Sequence, residues 1–332
     1  MNSKERVIRA MEFTGPDRLP ICSFHFKTDK LPDLKKLKKY KSDLALTSFM
    51  PNNIIIDEMN HYDEWGCKWC TPTLVGEVVE HPLREWDMLS ELKVPDYFTK
   101  KNFNFIKLCR RIYARKFLMG YLPDMYFNRL FHLRGFQNLF CDFIEERENV
   151  EKLLDIVTGH TIRLIEKYAE LKVDGVLLCD DFGLQNSLMI SPAMFRDIFK
   201  PRFKTMVDAA HRNGMKYILH SCGCIIDIID DLIEIGVDCV QLDQLDIMGM
   251  DNLAERFAGR VAFFNCVDIQ SVMPRNDHTE IYEYARRMVK AFSSEKGGFI
   301  GKIYPQLQDI ESTVDSAIAS LDAFTEKGRD AI

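Results

Sequence analysis

An α/β fold, a closed (β/α)8 TIM barrel with N-terminal helical and small β additions, follows from three features of the sequence. Beyond residue 170, short apolar runs alternate with amphipathic helical stretches through to the last helix. The runs are apolar throughout, not at every second residue, as in parallel strands covered on both faces. The chain has 332 residues, which suits a barrel of roughly 250 residues with insertions. One barrel domain over 1–332 is expected, with an N-terminal elaboration at roughly 28–100.

Ser3–Phe13 opens the chain as an amphipathic helix, carrying apolar Val7, Ile8, Met11 and Phe13, and Thr14-Gly-Pro-Asp breaks it. LPICSFHF, residues 19–26, reads as a strand ending at His25. Residues 28–50 are Lys-rich and read as a weakly helical, exposed insertion. Residues 53–80 read as a small sheet, with Ile54–Ile56 a strand and the Asp63–Trp69 segment a hairpin. The Cys67/Cys70 pair within it lacks the second pair that a four-cysteine zinc site needs, which favours packing. Helices are expected at 102–113, 128–143 and 147–171, with a strand at 117–121 between the first two. The regular part then runs as strands at 175–181, 216–222, 239–244, 261–268 and 298–304, each followed by a helix. Ser191-Pro192 supplies the cap and first-turn proline of one of these helices. No glycine-rich nucleotide loop follows any strand.

The net charge of -6 argues against a nucleic-acid or anionic-membrane binder, since both need a basic surface. No apolar run approaches the ~20 residues that span a bilayer. The N-terminus lacks the apolar core and cleavage site of a signal peptide. Ten cysteines without an export signal point to a reducing, cytoplasmic setting, where metal binding or burial is favoured over disulfides.

In a barrel of this kind, chemistry gathers at the C-terminal ends of the strands. Those ends carry His25, Asp180 and Asp181, His220 and Cys222, Gln241 and Asp243, Cys266 and Asp268, and Lys302 and Tyr304. Any single acid here also reads as a helix cap. His220 and Cys222 are two apart on an extended segment, so both face one side, and Gly223 lets the backbone turn after them. An imidazole and a thiolate in one space are two ligands of a zinc site; the other reading is a core histidine beside an inert thiol. Cys266, two strands further round, is the candidate third ligand, with Cys224 a rival. Three protein ligands would leave a fourth position open, as in catalytic zinc sites.

ERVIRAMEFTGPDRLP, YDEWGCKW, DDFGLQNSLMISPAMFRDIFKP, LHSCGCIIDIIDDLIEIGVDCVQLDQ and VAFFNCVDIQ together resemble the uroporphyrinogen decarboxylase superfamily. The decarboxylase proper carries an arginine-rich loop after the first strand for its substrate's carboxylates. Here that region reads ICSFHFKTDKLPDLKK, without arginine. The closer resemblance is to the corrinoid-dependent methyltransferases of the superfamily, both the O-demethylase and the methylcobalamin:coenzyme M branches. It implies zinc on His220, Cys222 and a further ligand, here Cys266. The distant cysteine of the coenzyme M branch has no counterpart in GGFIGKIYPQLQDI. Methyl would move between a small methylated substrate, such as an aryl methyl ether, and the cobalt of a corrinoid protein. Asp181 is expected in the catalytic group, and His25, Gln185, Gln241, Asp268 and Tyr304 around the substrate. The alternatives are porphyrinogen decarboxylation and transfer from methylcobalamin to a thiol.

Overall fold

The computed structural model describes residues 1–24, 31–51, 53–71, 76–123 and 126–330. Its strands in chain order are β1 (Ile21–Cys22) and β2 (Leu44–Thr47), then β3 (Ile54–Ile55), β4 (Asn60–Tyr62), β5 (Lys68–Cys70) and β6 (Glu77–Glu80). They continue with β7 (Phe117–Pro123), β8 (Gly175–Cys179), β9 (Lys216–His220), β10 (Cys239–Gln241), β11 (Ala262–Asn265) and β12 (Phe299–Lys302). β3 to β6 form a separate antiparallel sheet inserted between β2 and β7. The other eight strands are parallel neighbours in the order β1-β12-β11-β10-β9-β8-β7-β2. That is a (β/α)8 barrel, as expected from the sequence.

The barrel closes between β1 and β2 through one residue. The Asp43 N–H donates to the Ile21 carbonyl (2.8 Å), and the Ile21 N–H donates to the Asp43 carboxylate (3.0 Å). Arg6 and Arg18 pair with the same carboxylate at 2.7 and 2.9 Å. The device recurs. Asp174 before β8 accepts the Leu118 N–H and pairs with Lys4 and Arg110. Asp238 before β10 accepts the Tyr217 N–H and pairs with Lys216 and His211. Each aspartate satisfies a neighbouring strand's backbone donor at the N-terminal end of the barrel, the end associated with stability.

Three expectations change. Residues 28–50 are not an exposed helical insertion: β2 lies there and is a barrel strand, with Leu44, Ala45 and Thr47 buried. The lysine run of the preceding turn, Leu34–Lys39, imposes a helical pattern that masks this four-residue strand. The first strand is also shorter than 19–26, and His25 lies outside the described residues. The helix expected at 128–143 is broken at Gly135, whose φ of +89° ends Phe127–Arg134 before Phe136–Glu145 begins.

The inserted sheet leans on the long helix Arg147–Glu170 through Trp65, whose ring meets that of buried His160 edge-on at 5.1 Å. Neither ring nitrogen of His160 has a hydrogen-bond partner among the described residues. Burial, aided by Arg163 and Arg129, lowers its pKa from 6.5 to about 4. The unfolded chain therefore binds an extra proton between pH 4 and 6.5, so stability rises with pH across that window and is fully present above it. Chemical denaturation at pH 5 should give stability about 2 kcal/mol below that at pH 7 from this group. His160→Leu should flatten the profile by that amount.

Candidate metal centre

Two backbone contacts build the site. Gly183 and Gly223, in the loops after β8 and β9, lie so close that a Cβ on either would run into the other's backbone. The Gly183 N–H donates to the Cys222 carbonyl (3.2 Å), and the Cys224 N–H to the Leu184 carbonyl (2.7 Å). Gly223 holds φ at +75°, a conformation that suits glycine. Its N–H donates to Gln244 Oε1 (2.7 Å). The loops are thereby locked side by side, and Asp181 comes to rest against Cys222. Gly223→Ala should cost about 2–4 kcal/mol in a thermal melt, from clash and left-handed strain combined. It should also weaken metal binding, because the loops must part.

The Cys222 N–H donates to Asp181 Oδ1 at 2.7 Å. His220 Nε2 stands 3.4 Å from Cys222 Sγ and 3.7 Å from Asp181 Oδ1. Ligand atoms of all three residues lie within 4.8 Å of one another. His220 Nδ1 contacts the Gln241 carbonyl at 3.1 Å. A carbonyl only accepts, so Nδ1 carries the proton and Nε2 presents its lone pair to the group. Burial first, then the charges of Asp181 and Asp243, raise the Cys222 thiol pKa well above its usual value. A bound cation would reverse that balance and bind the thiolate. Nitrogen, sulfur and oxygen donors of this kind fit a zinc ion, with room for a fourth ligand.

Asp181 and His220 face a cavity of about 300 Å³ at the C-terminal mouth of the barrel. Leu46, Met119, Leu177 and Phe264 make its apolar wall; Gln241, Asp243, Lys302 and Tyr304 its polar one. Deep in that wall, Lys302 pairs with Asp243 at 2.8 Å. Burial works against the Lys302 charge, but Asp243 outweighs it and raises the pKa. Asp243 also accepts from Gln241 Nε2 (2.6 Å) and Cys266 Sγ (3.1 Å).

Of the residues predicted from sequence, Asp181, His220 and Cys222 come together, and Gln241 and Tyr304 line the cavity beside them. Cys266 is not in the three-residue group: it is fully buried, with its thiol on Asp243. Asp268 is a buried clamp, accepting the N–H groups of Asp246, Gln270 and Ser271, and is not among the cavity-lining residues. Gln185 is exposed and meets the Gln270 side chain at the rim. Asp180 caps the helix at Phe127 and Asn128, the bland alternative for an acid at a strand end. Asn128, Gln306 and Asp309 also line the cavity but lie several residues beyond the ends of β7 and β12, past the strand-end positions used to find the others.

The comparisons with known proteins agree with this architecture. The solved methyltransferase from Methanosarcina mazei superposes with a TM-score of 0.74 at 16% identity, covering 98% of this chain and 99% of that one. Xylanase 10B from Thermotoga maritima superposes with a TM-score of 0.50 at 10% identity, covering 99% and 100%. At such identities the likeness is one of fold. No curated protein matches the sequence. No helix among the described residues is long and apolar enough to cross a membrane. The profile of the uroporphyrinogen decarboxylase (URO-D) family matches residues 53–302, three-quarters of the chain and most of the barrel, so the chain belongs to that family.

Proposed function

We propose that this protein is a zinc-dependent methyltransferase that moves a methyl group between a small methylated substrate, such as an aryl methyl ether, and the cobalt of a corrinoid carried by a partner protein. The observation that carries the reading is the convergence of His220 Nε2, Cys222 Sγ and an Asp181 oxygen at the mouth of a largely apolar cavity. The methyltransferase fold neighbour supports it.

His220 and Cys222 would hold the zinc, which when bound acts as a Lewis acid toward the heteroatom that carries the methyl group. The Gln241 carbonyl fixes the His220 ring through Nδ1. The wall of Leu46, Met119, Leu177 and Phe264 takes the apolar body of the substrate and keeps water from the reacting carbon. Gln241 and Tyr304 border the same space and orient it.

A decarboxylase acting on a polycarboxylate is the less favoured reading. Among the described residues lining the cavity there is no arginine, and the lysine there, Lys302, is paired with Asp243. A spectral assay tests the proposal. Zinc-loaded protein should consume free cob(I)alamin when a methyl ether is supplied. Consumption of methylcobalamin only when a thiol is supplied would reverse the direction. Turnover of a porphyrinogen without zinc would replace the reading.

A further inference from the structure

The zinc reading leaves open which residue completes the protein's ligand set. We infer that Asp181 supplies the third ligand, giving one nitrogen, one sulfur and one carboxylate oxygen, with Cys266 outside the set. This rests on the metal reading proposed above but is tested separately from it.

With zinc bonds of about 2.0–2.1 Å to nitrogen and oxygen and 2.3 Å to sulfur, a tetrahedral site separates nitrogen from sulfur by about 3.6 Å and nitrogen from oxygen by about 3.3 Å. His220 Nε2 lies 3.4 Å from Cys222 Sγ and 3.7 Å from Asp181 Oδ1. Two of the three donor separations already stand close to the edges of such a tetrahedron, and the third lies within 4.8 Å. The Cys222 N–H fixes one oxygen of the Asp181 carboxylate, and the Gly183–Gly223 contact fixes the loop that bears it. A carboxylate has lone pairs to spare for a metal beyond that one hydrogen bond.

Cys266 is engaged elsewhere. Its thiol donates to Asp243 Oδ1, the oxygen that also takes Gln241 Nε2 and pairs with Lys302 Nζ. Turning the sulfur to a metal would strip a donor from a buried carboxylate. It would also bring a second cation beside the Lys302 ammonium, where like charges repel. The consequence is chemical. A carboxylate is a harder donor than a second thiolate, and the site it makes favours an oxygen ligand in the open position over a sulfur one.

The test uses the full-length protein, stripped of metal and loaded with Co(II), with affinity measured against a competing chelator and the thiolate-to-cobalt absorption recorded. Cys266→Ser should bind within about threefold of wild type with an unchanged band, since only one thiolate is engaged. Asp181→Asn keeps an oxygen for the Cys222 N–H but loses the charge, and should bind at least about 100-fold more weakly. Cys222→Ser should lose the band altogether. A weaker band in Cys266→Ser, or wild-type affinity in Asp181→Asn, overturns the assignment while leaving a metal centre in place. Failure of the wild-type protein to bind the metal overturns both.

Discussion

Cys222→Ser should lose bound zinc and, with it, methyl transfer by about three orders of magnitude or more, the equivalent of several kcal/mol of Lewis-acid stabilisation. Sulfur is the softest donor of the group, and a serine hydroxyl does not ionise in its place. The thiol is held protonated by burial and by the neighbouring carboxylates until a cation displaces the proton. Zinc affinity should therefore fall as the pH falls. The side chain is packed in a loop fixed by backbone hydrogen bonds, so the variant should melt close to wild type. Single-turnover consumption of cob(I)alamin, followed beside zinc content, checks both parts. A zinc-free Cys222→Ser protein with unchanged turnover would remove the metal from the mechanism.

Asp43→Ala should have the largest effect on stability, roughly 3–5 kcal/mol, because it breaks a buried ion pair on one side only. The carboxylate is fully buried and serves Arg6, Arg18, the Ser3 hydroxyl and the Ile21 N–H at once. Its removal leaves the nearly buried Arg6 with Asp17 as its one ionic partner among the described residues and opens the β1–β2 seam. Against a total stability of roughly 5–15 kcal/mol, that is a large fraction. Urea denaturation should show the loss. Asp43 lies at the opposite end of the barrel from His220, so the folded variant should retain zinc affinity. Loss of affinity in the folded protein would mean that the two ends are coupled.

Much of this architecture was legible in the sequence, for a physical reason. Buried parallel strands such as Gly175–Cys179 and Lys216–His220 are apolar throughout and end in polar residues, so both the strand and the site at its end show in one dimension. The pairing of His220 with Cys222 is of this kind, since a spacing of two fixes a shared side. Short strands were harder: Leu44–Thr47 is too brief to outweigh the lysine-rich turn before it. Two acids, Asp180 and Asp181, end the same apolar run, and their spacing alone does not separate them; the family resemblance favours Asp181 for the catalytic group. The fold places Asp180 at a helix start and Asp181 beside His220 and Cys222. The fate of Cys266 depends on Asp243 and Lys302, which lie far from it along the chain. Likewise, Gly183 carried no signal of its own; its role exists only because Gly223 comes to meet it.

Metal analysis of the purified wild-type protein and of a His220→Ala/Cys222→Ser double variant, both reconstituted with zinc and then desalted, tests the central claim most directly. One zinc per chain in the wild type and none in the double variant is the predicted result. Equal zinc in both, or none in either, would contradict it.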